Sequence, residues 1–222
     1  MKPYPEYKET GLSWLPKIPK HWEVVRTKSL FRLVVEAAPI NNDYELLSVY
    51  SHIGVRPRRD LEAKGNRAST TDGYWIVKKG DIICNKLLAW MGAIGVSHYD
   101  GVTSPAYDII RRRNEESEVE YYHYLFRTPL YQSVFRAFSK GIMDMRLRLY
   151  FDQFGTISIP CPPIAEQKKI VRYLDLMAAK IDTLIDAKKK QIALLQEKKT
   201  SHCQSSRYSR AQSRCSTERF RH

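Results

Sequence analysis

The stretch from Ile164 to Lys199 is rich in helix-forming residues and repeats apolar side chains at steps of three and four. Such alternating steps are typical of a coiled-coil seam rather than of one face of a globular helix. Lys188 and Gln191 continue the register as polar members. The apolar seam residues are Ile170, Leu174, Met177, Ile181, Leu184 and Leu195, with Val171, Ala178, Ile185 and Ile192 beside them at intervals of seven.

A helix over this stretch constrains the rest of the chain. It would be about 54 Å long at 1.5 Å per residue. An isolated apolar stripe of this length is not stable in water, so we expect it to pair with another helix. The alternative, a helix folded back onto its own domain, is less favoured because the stripe is longer than a small domain is wide. Pro162 and Pro163 stop the preceding structure, so the sequence predicts a domain over residues 1–160 and a spacer or dimerisation helix over 161–199.

The first 160 residues read as a mixed domain. The chain has 222 residues, of which 43% are hydrophobic, enough to bury a core. Four prolines before residue 26 indicate an extended lead-in, anchored by Trp14 and Trp22. Strands are predicted in 44–56, 73–87 (around a Lys79-Gly80-Asp81 turn), 92–113 and 154–160. Helices are predicted in 27–38 and 117–139, and Pro129 marks either a break or a new first turn in the second of them. The predicted fold class is α+β, with short, mostly antiparallel strands followed by one long coiled-coil-type helix.

The charge of the chain favours a polyanionic partner. The formal net charge is +13 and the pI is about 9.6, which makes nucleic acid the leading candidate, against the alternative of a merely basic soluble protein. No stretch has the length and apolarity of a membrane span or a signal peptide, and four scattered cysteines suggest neither zinc nor disulfides. We therefore expect a cytoplasmic protein without a membrane association.

Known catalytic motifs are missing from the sequence. It has no phosphate-binding GxxxxGK[ST], no Asn/Asp-Pro-Pro-aromatic motif and no HExxH. The six histidines lack metal-ligand spacing, and Cys84 follows a β-branched run that favours burial. The sequence predicts no cofactor, no metal site and no enzymatic activity of its own.

Two basic segments and an isolated lysine are candidates for DNA contact. The first segment, residues 54–67, is kept non-helical by glycine and proline and carries Arg56, Arg58, Arg59, Lys64 and Arg67. The alternative is a solvated basic loop. Lys86 follows a predicted strand. Trp90, close to it in sequence, is as consistent with a position in the core as with a DNA contact. The second segment carries Lys140, Arg146 and Arg148, the two arginines alternating with Leu147 and Leu149. Arg111, Arg112 and Arg113 rank lower because acidic residues follow them.

Residues 200–222 are rich in serine and arginine and lack periodicity, which predicts a disordered basic tail. A second interpretation is a frameshift. With freely chosen codons, the same bases can be read one position later as a continued helix, followed by KDSGIEW. That string is similar to Lys8–Trp14, so we expect an out-of-frame tail followed by a second copy of the domain.

The segment IPCPPIAEQKKIVRYLD resembles the conserved helical region of specificity subunits of type I restriction-modification systems. In that family Pro-Pro-x-x-Glu-Gln ends each target-recognition domain and opens the spacer helix; the matching residues here are Pro162, Pro163, Glu166 and Gln167. The lead-in YKETGLSWLPKIPKHWEV, Gly80-Asp81-Ile82 and TSPAY at Thr103–Tyr107 are also similar to the family. Gly141 and Arg146 loosely match its glycine-to-arginine element.

The resemblance implies a non-catalytic subunit that recognises half of a bipartite double-stranded DNA target. It also implies docking of methyltransferase subunits and, through them, of the restriction subunit. A full-length member has two recognition domains and two antiparallel helices, whereas this chain has one of each. Homodimerisation through antiparallel helices would restore that layout and make the target palindromic. The alternative is a stand-alone DNA- or RNA-binding regulator that dimerises through its C-terminal helix.

Overall fold

The computed structural model describes residues 3–60, 71–143 and 146–218, with side chains up to Lys199. The chain divides into two compact units, Met1–Val171 and Arg172–His222. The strands are β1 (Tyr7–Leu12), β2 (Leu15–Pro19), β3 (Glu23–Arg26), β4 (Phe31–Val34), β5 (Leu47–Tyr50), β6 (Gly54–Pro57), β7 (Trp75–Val77), β8 (Ile82–Asn85), β9 (Ile94–Val96), β10 (Gly101–Thr103), β11 (Tyr107–Arg112) and β12 (Ser158–Cys161). The helices are α1 (Thr27–Leu30), α2 (Val119–Phe126), α3 (Pro129–Phe138), α4 (Phe151–Phe154) and α5 (Ile164–Glu218).

A four-stranded antiparallel sheet in the order β4-β11-β8-β9 forms the centre of the first unit. Side chains alternate between its two faces because a strand has a period of two. Ile82 and Ile110 therefore join one hydrophobic cluster, and Ile83 and Ile109 join another. A sheet buried on both faces explains why these strands are continuous isoleucine runs rather than alternating patterns.

The α2–α3 pair covers the first face of the sheet. Four of its aromatic side chains, Tyr122, Phe126, Tyr131 and Phe135, are fully buried. The ring centroid of Phe126 lies 5.8 Å from that of Phe135 and 5.3 Å from that of Phe154 in α4. Pro129 takes the first position of α3, and the Thr128 hydroxyl accepts a hydrogen bond from the Tyr131 amide at 3.3 Å. This is a helix start of the kind that proline at the first turn favours, and it is one of the two outcomes that the sequence allowed at Pro129.

The β5–β6 hairpin contributes to the second hydrophobic cluster. Leu47, Val49 and Val55 pack there with Ile83 and Ile109 of the sheet. The sequence predicted one strand over 44–56, but the chain turns at residues 51–53 and Gly54 has a φ of +94°. The left-handed backbone at Gly54 explains why two short strands form instead of one.

One further prediction differs from the structure, and another is confirmed. A helix was expected over 27–38, but only Thr27–Leu30 is helical, and Phe31–Val34 pairs with β11 instead. Burial of Phe31 at the edge of the core outweighs the local helical spacing. The two short strands expected around the Lys79-Gly80-Asp81 turn are present as β7 and β8, and φ at Gly80 is +92°. In the structure β7 pairs with β10, and β8 pairs with β9 and β11.

The α+β fold class and the long C-terminal helix are confirmed. The lead-in forms the β1–β2 hairpin, and β3 pairs with the last strand, β12, so both ends of the globular unit meet.

The helix α5 spans 55 residues, Ile164–Glu218. The sequence predicted an irregular tail after Lys199, but the residues from Thr200 onwards include neither glycine nor proline, and the helical backbone continues through them to Glu218. The predicted boundary at 160/161 also differs from the division of units at 171/172, because the first two turns of α5 belong to the globular unit.

Candidate nucleic-acid interface

Arg56 projects from the hairpin that packs over the sheet. Its neighbours Val55 and Pro57 are buried, so the alternation along β6 leaves the Arg56 side chain exposed. Arg56 Nη1 donates a hydrogen bond to Tyr99 Oη at 2.8 Å. Tyr99 itself packs against the second hydrophobic cluster. A guanidinium held by a buried framework but open to solvent suits contact with phosphate or a guanine edge.

The other candidates in this segment differ from Arg56. Arg59 is exposed but lies 2.9 Å from a Glu45 carboxylate oxygen and 3.8 Å from one of Asp60. Arg58 is half-buried at the start of a 3₁₀ turn, Arg58–Asp60. Lys64 and Arg67 lie outside the described residues. Arg56 is therefore the strongest of the three candidates in this segment that the structure describes.

Arg127, which sequence analysis did not single out, fixes the turn of this hairpin. Its guanidinium donates to the backbone carbonyl oxygens of Ser51 at 2.9 Å, Ile94 at 3.0 Å and Gly92 at 3.2 Å. One turn earlier on α2, His123 Nδ1 accepts a hydrogen bond from the Val96 amide at 3.1 Å. Burial lowers the pKa of Arg127 below its ordinary value. These contacts hold the β5–β6 turn against the loop before β9.

The second basic segment forms a closed loop. Lys140 and Arg148 exchange two backbone hydrogen bonds, each of 2.9 Å. Gly141 has a φ of +153°, and a Cβ there would lie 2.4 Å from the Arg146 carbonyl oxygen. Glycine is therefore required by both backbone conformation and space.

The tip and base of this loop present different surfaces. Ile142 is 95% exposed and Met143 63%. At the base, Leu147 and Leu149 are buried, whereas Arg146 is exposed and Arg148 half-buried. The predicted alternation of arginine and leucine therefore occurs, and it directs cations away from the core.

Lys86 has a structural partner. Its side chain is only 19% exposed and its ammonium lies 3.4 Å from an Asp108 carboxylate oxygen. Burial raises the pKa of Asp108, and the Lys86 charge acts against this rise. Asp108 also accepts a hydrogen bond from the Phe151 amide at 3.1 Å. Because its ammonium is paired with Asp108 inside the protein, Lys86 is the weakest of the candidate DNA contacts among the described residues.

The three consecutive arginines are also engaged within the chain. Arg111 donates twice to the Asp81 carboxylate, both at 2.7 Å, and Arg112 lies 2.8 Å from Glu115. Arg113 donates to the backbone carbonyl oxygens of Lys28 and Phe31. Trp90 packs against the main core with the Arg136 guanidinium 5.3 Å from its ring centroid. These contacts support the low rank that acidic neighbours gave these arginines.

The junction with α5 is held by two side chains in its first turn. Glu166 accepts hydrogen bonds from Tyr4 Oη, from His21 Nε2 at 2.8 Å and from Trp22 Nε1 at 3.1 Å. Burial alone would raise the pKa of Glu166, but these hydrogen bonds hold it below its ordinary value. Burial and the hydrogen bond to Glu166 raise the pKa of Tyr4 to about 12.

Gln167 is fully buried beside it. Its amide nitrogen donates to the Pro162 carbonyl oxygen at 2.7 Å, and its Oε1 accepts from the Glu118 amide, just before α2, at 2.8 Å. The Pro163 carbonyl accepts from the Glu166 and Gln167 amides at 2.8 and 3.0 Å. Pro162, Pro163, Glu166 and Gln167 therefore join the lead-in, the start of α2 and the first turn of α5.

A family model described as "Type I restriction modification DNA specificity domain" matches residues 19–196. The chain belongs to this family. The resemblance of its helical region, inferred from the sequence, is thereby confirmed.

One named relative is similar to this chain in sequence, and two solved structures are similar to it in fold. The specificity subunit of type I restriction enzyme MjaVIII from Methanocaldococcus jannaschii is 27% identical over 191 residues, covering 82% of this chain and 41% of the relative. A chain from a structure of the type I restriction-modification system, solved to explain complex assembly and conformational transition, has a TM-score of 0.57 at 18% identity, covering 86% of this chain and 46% of that one. The HsdS subunit from Thermoanaerobacter tengcongensis has a TM-score of 0.50 at 17% sequence identity, and the match covers 82% of this chain and 42% of that one. The chain thus spans less than half the length of these relatives.

The specificity-domain elements named from the sequence have physical roles here. Asp81 of Gly80-Asp81-Ile82 is buried, accepts the Lys78 amide at 2.8 Å and pairs with Arg111, so it closes a turn inside the sheet. Thr103, which begins TSPAY, donates its hydroxyl to the Leu47 carbonyl at 3.2 Å and so joins β10 to β5. These elements stabilise the fold rather than form the exposed basic surface.

The described residues include no group of three His, Cys, Asp or Glu side chains placed to hold a metal ion. Cys84 is buried, and that burial raises its thiol pKa far above the ordinary value. No helix within the described residues is long and apolar enough to cross a membrane.

Proposed function

We propose that this chain is a non-catalytic DNA-recognition module of a type I restriction-modification system. It binds double-stranded DNA, reads half of a bipartite target and docks methyltransferase subunits, which in turn bring the restriction subunit. The observation that carries this proposal is the family match over residues 19–196. The net charge of +13 and the exposed arginines support it.

The β5–β6 hairpin and the loop between Lys140 and Arg148 are the proposed DNA-contacting segments. Both lie against the same stretch of chain after β8: the Leu149 amide donates to the Lys86 carbonyl at 2.9 Å, and Arg127 ties Ser51 to Gly92. Exposed arginines supported by a rigid scaffold can place hydrogen-bond donors at base edges, whereas the surrounding cations contact phosphates.

Two copies of the chain complete the reader in this proposal. The second unit carries exposed apolar residues along its helix, among them Ile181 and Leu184. Pairing of two such helices in antiparallel orientation would bring together two recognition domains related by a two-fold axis. Their target would then be a palindrome with two half-sites.

The test compares DNA binding by the chain alone and with a type I methyltransferase subunit of its host. We expect tight, sequence-dependent binding of a duplex only when the methyltransferase subunit is present. Equally tight binding by the chain alone would favour a stand-alone DNA-binding regulator, which the basic charge and the exposed helix would also suit. No binding in either case would contradict the proposed function.

A further inference from the structure

Between Leu174 and Leu195, the exposed stripe of α5 contains one row of residues that is apolar at every position but one. Beyond Val171, which packs against the core of the globular unit, the row has steps of three and four. Its members are Leu174, Ala178, Ile181, Ile185, Lys188, Ile192 and Leu195. The neighbouring row through Ile170 is less suitable, because Ile170 also packs on its own domain and Gln191 adds a second polar residue.

Lys188 is the polar position in this row. It is exposed, and its ammonium lies 3.1 Å from Gln191 Oε1 on the same helix. In a parallel, in-register pair, Lys188 would face Lys188 of the second copy across the seam, which is unfavourable for two like charges. An antiparallel pair avoids this contact because each residue faces a different position.

One antiparallel register matches the row to itself from Leu174 to Ile192, and it places Leu195 opposite the half-buried Val171 of the second copy. With the two-fold axis at Thr183, Leu174 lies opposite Ile192 of the second copy, and Ile181 lies opposite Ile185. Lys188 then faces Ala178, the smallest side chain in the row, which leaves space for the lysine stem to reach solvent. Asp175 lies beside Lys189 of the second copy on the flank of the seam, which adds charge complementarity.

The competing register, shifted by one heptad, has a different balance. It places Lys188 opposite Ile185 and Leu174 opposite Lys199, and so leaves a leucine of each copy against a cation. It would, however, bring Asp182 beside Lys189 of the second copy. In the register with the axis at Thr183, Asp182 instead lies beside Asp182 of the second copy, which is a contact between like charges. An exposed charge contact contributes less than the burial of a leucine, so apolar matching decides between the registers.

We propose that two copies of this chain pair antiparallel with the two-fold axis at Thr183, and that Lys188 against Ala178 selects this orientation and register. The inference rests on the proposed homodimer and specifies its geometry. Lys188 is thus a specificity-determining residue of the pairing surface.

Disulfide trapping tests the register in the full-length chain. Cys161, Cys203 and Cys215 are replaced by serine, and the buried Cys84 is kept. Chains carrying Leu174→Cys and chains carrying Ile192→Cys are mixed and oxidised; the matched control mixes Ile181→Cys with Ile192→Cys. In the proposed register the control pair is about 10 Å out of step, beyond the reach of a disulfide. We expect at least tenfold more cross-linked dimer from the first mixture, and the reverse would overturn the register.

A neutral variant and the solution mass provide the second test. Asp182→Asn removes the like-charge contact at the axis, so we expect a severalfold tighter dimer by sedimentation. The shifted register instead predicts a weaker one. Predominant dimer with the wrong cross-links would overturn this inference but not the proposed homodimer. Monomer at every concentration would overturn both, and DNA binding in the presence of methyltransferase would still test the recognition role separately.

Discussion

The globular unit and the long helix use their apolar residues in opposite ways. In the first unit, Phe126 and its aromatic neighbours are fully buried. In the second, Leu184 is 59% exposed although it belongs to a regular apolar stripe. Burial of apolar surface therefore stabilises the first unit, whereas the apolar stripe of the second unit remains in contact with water in the single chain. The first unit is therefore stabilised by packing within one chain, whereas the stripe of the second unit stays exposed in one chain and is available for the proposed pairing with another helix.

The largest expected difference in stability is between truncation of a buried apolar side chain in the globular unit and truncation of an exposed one on the helix. Phe126→Ala removes a fully buried ring and should lower the free energy of unfolding by about 3–5 kcal/mol. Leu184→Ala in dilute, monomeric protein should change it by less than about 0.5 kcal/mol. Urea unfolding followed by tryptophan fluorescence measures both. Equal effects would show that the comparison between the units is wrong.

A smaller loss is expected at the junction of the globular unit with α5. Gln167→Ala leaves the Glu118 amide and the Pro162 carbonyl without their side-chain partner and should destabilise the protein by about 2 kcal/mol. Gln191→Ala, at an exposed position of the same helix, is the matched control and should be nearly neutral. A neutral result for Gln167→Ala would mean that water replaces both contacts.

DNA binding should distinguish open cations from internally paired ones. Arg56→Ala and Arg146→Ala should each weaken binding of the methyltransferase complex to its target duplex by about 1–3 kcal/mol. Arg112→Ala, at a side chain paired with Glu115, serves as the control and should have a smaller effect. Unchanged affinity for the first two variants would exclude them as contacts.

The smallest effect concerns acid stability at Glu166. Because its pKa is lower in the folded protein, its ionised form stabilises the fold above the unfolded pKa of about 4.3. This contribution is lost as the pH falls through the lower, folded pKa. Glu166→Gln should therefore reduce stability at neutral pH and flatten its decrease below pH of about 4. Urea midpoints across an acid pH series measure the slope, and an unchanged slope would contradict the role of the carboxylate.

The parts of the fold that sequence analysis predicted well depend on local chemistry. Pro129 at the start of α3 and the alternation of Arg146 and Arg148 with leucines are set by neighbouring residues. The failure at 27–38 arose because β4 gains its stability from pairing with β11, which is distant in sequence. Arg127 was missed for the same reason: its acceptors are backbone carbonyls, which leave no pattern in the sequence.

The most direct test of the central claim is to map modified DNA in cells that express this chain with the methyltransferase subunit of its host and no other specificity subunit. Two copies related by a two-fold axis predict one bipartite, palindromic motif, modified on both strands, which disappears when Leu184 and Ile181 are both replaced by aspartate. Modification at an asymmetric motif, or at the same motif after those replacements, would contradict recognition by a symmetric pair of this chain.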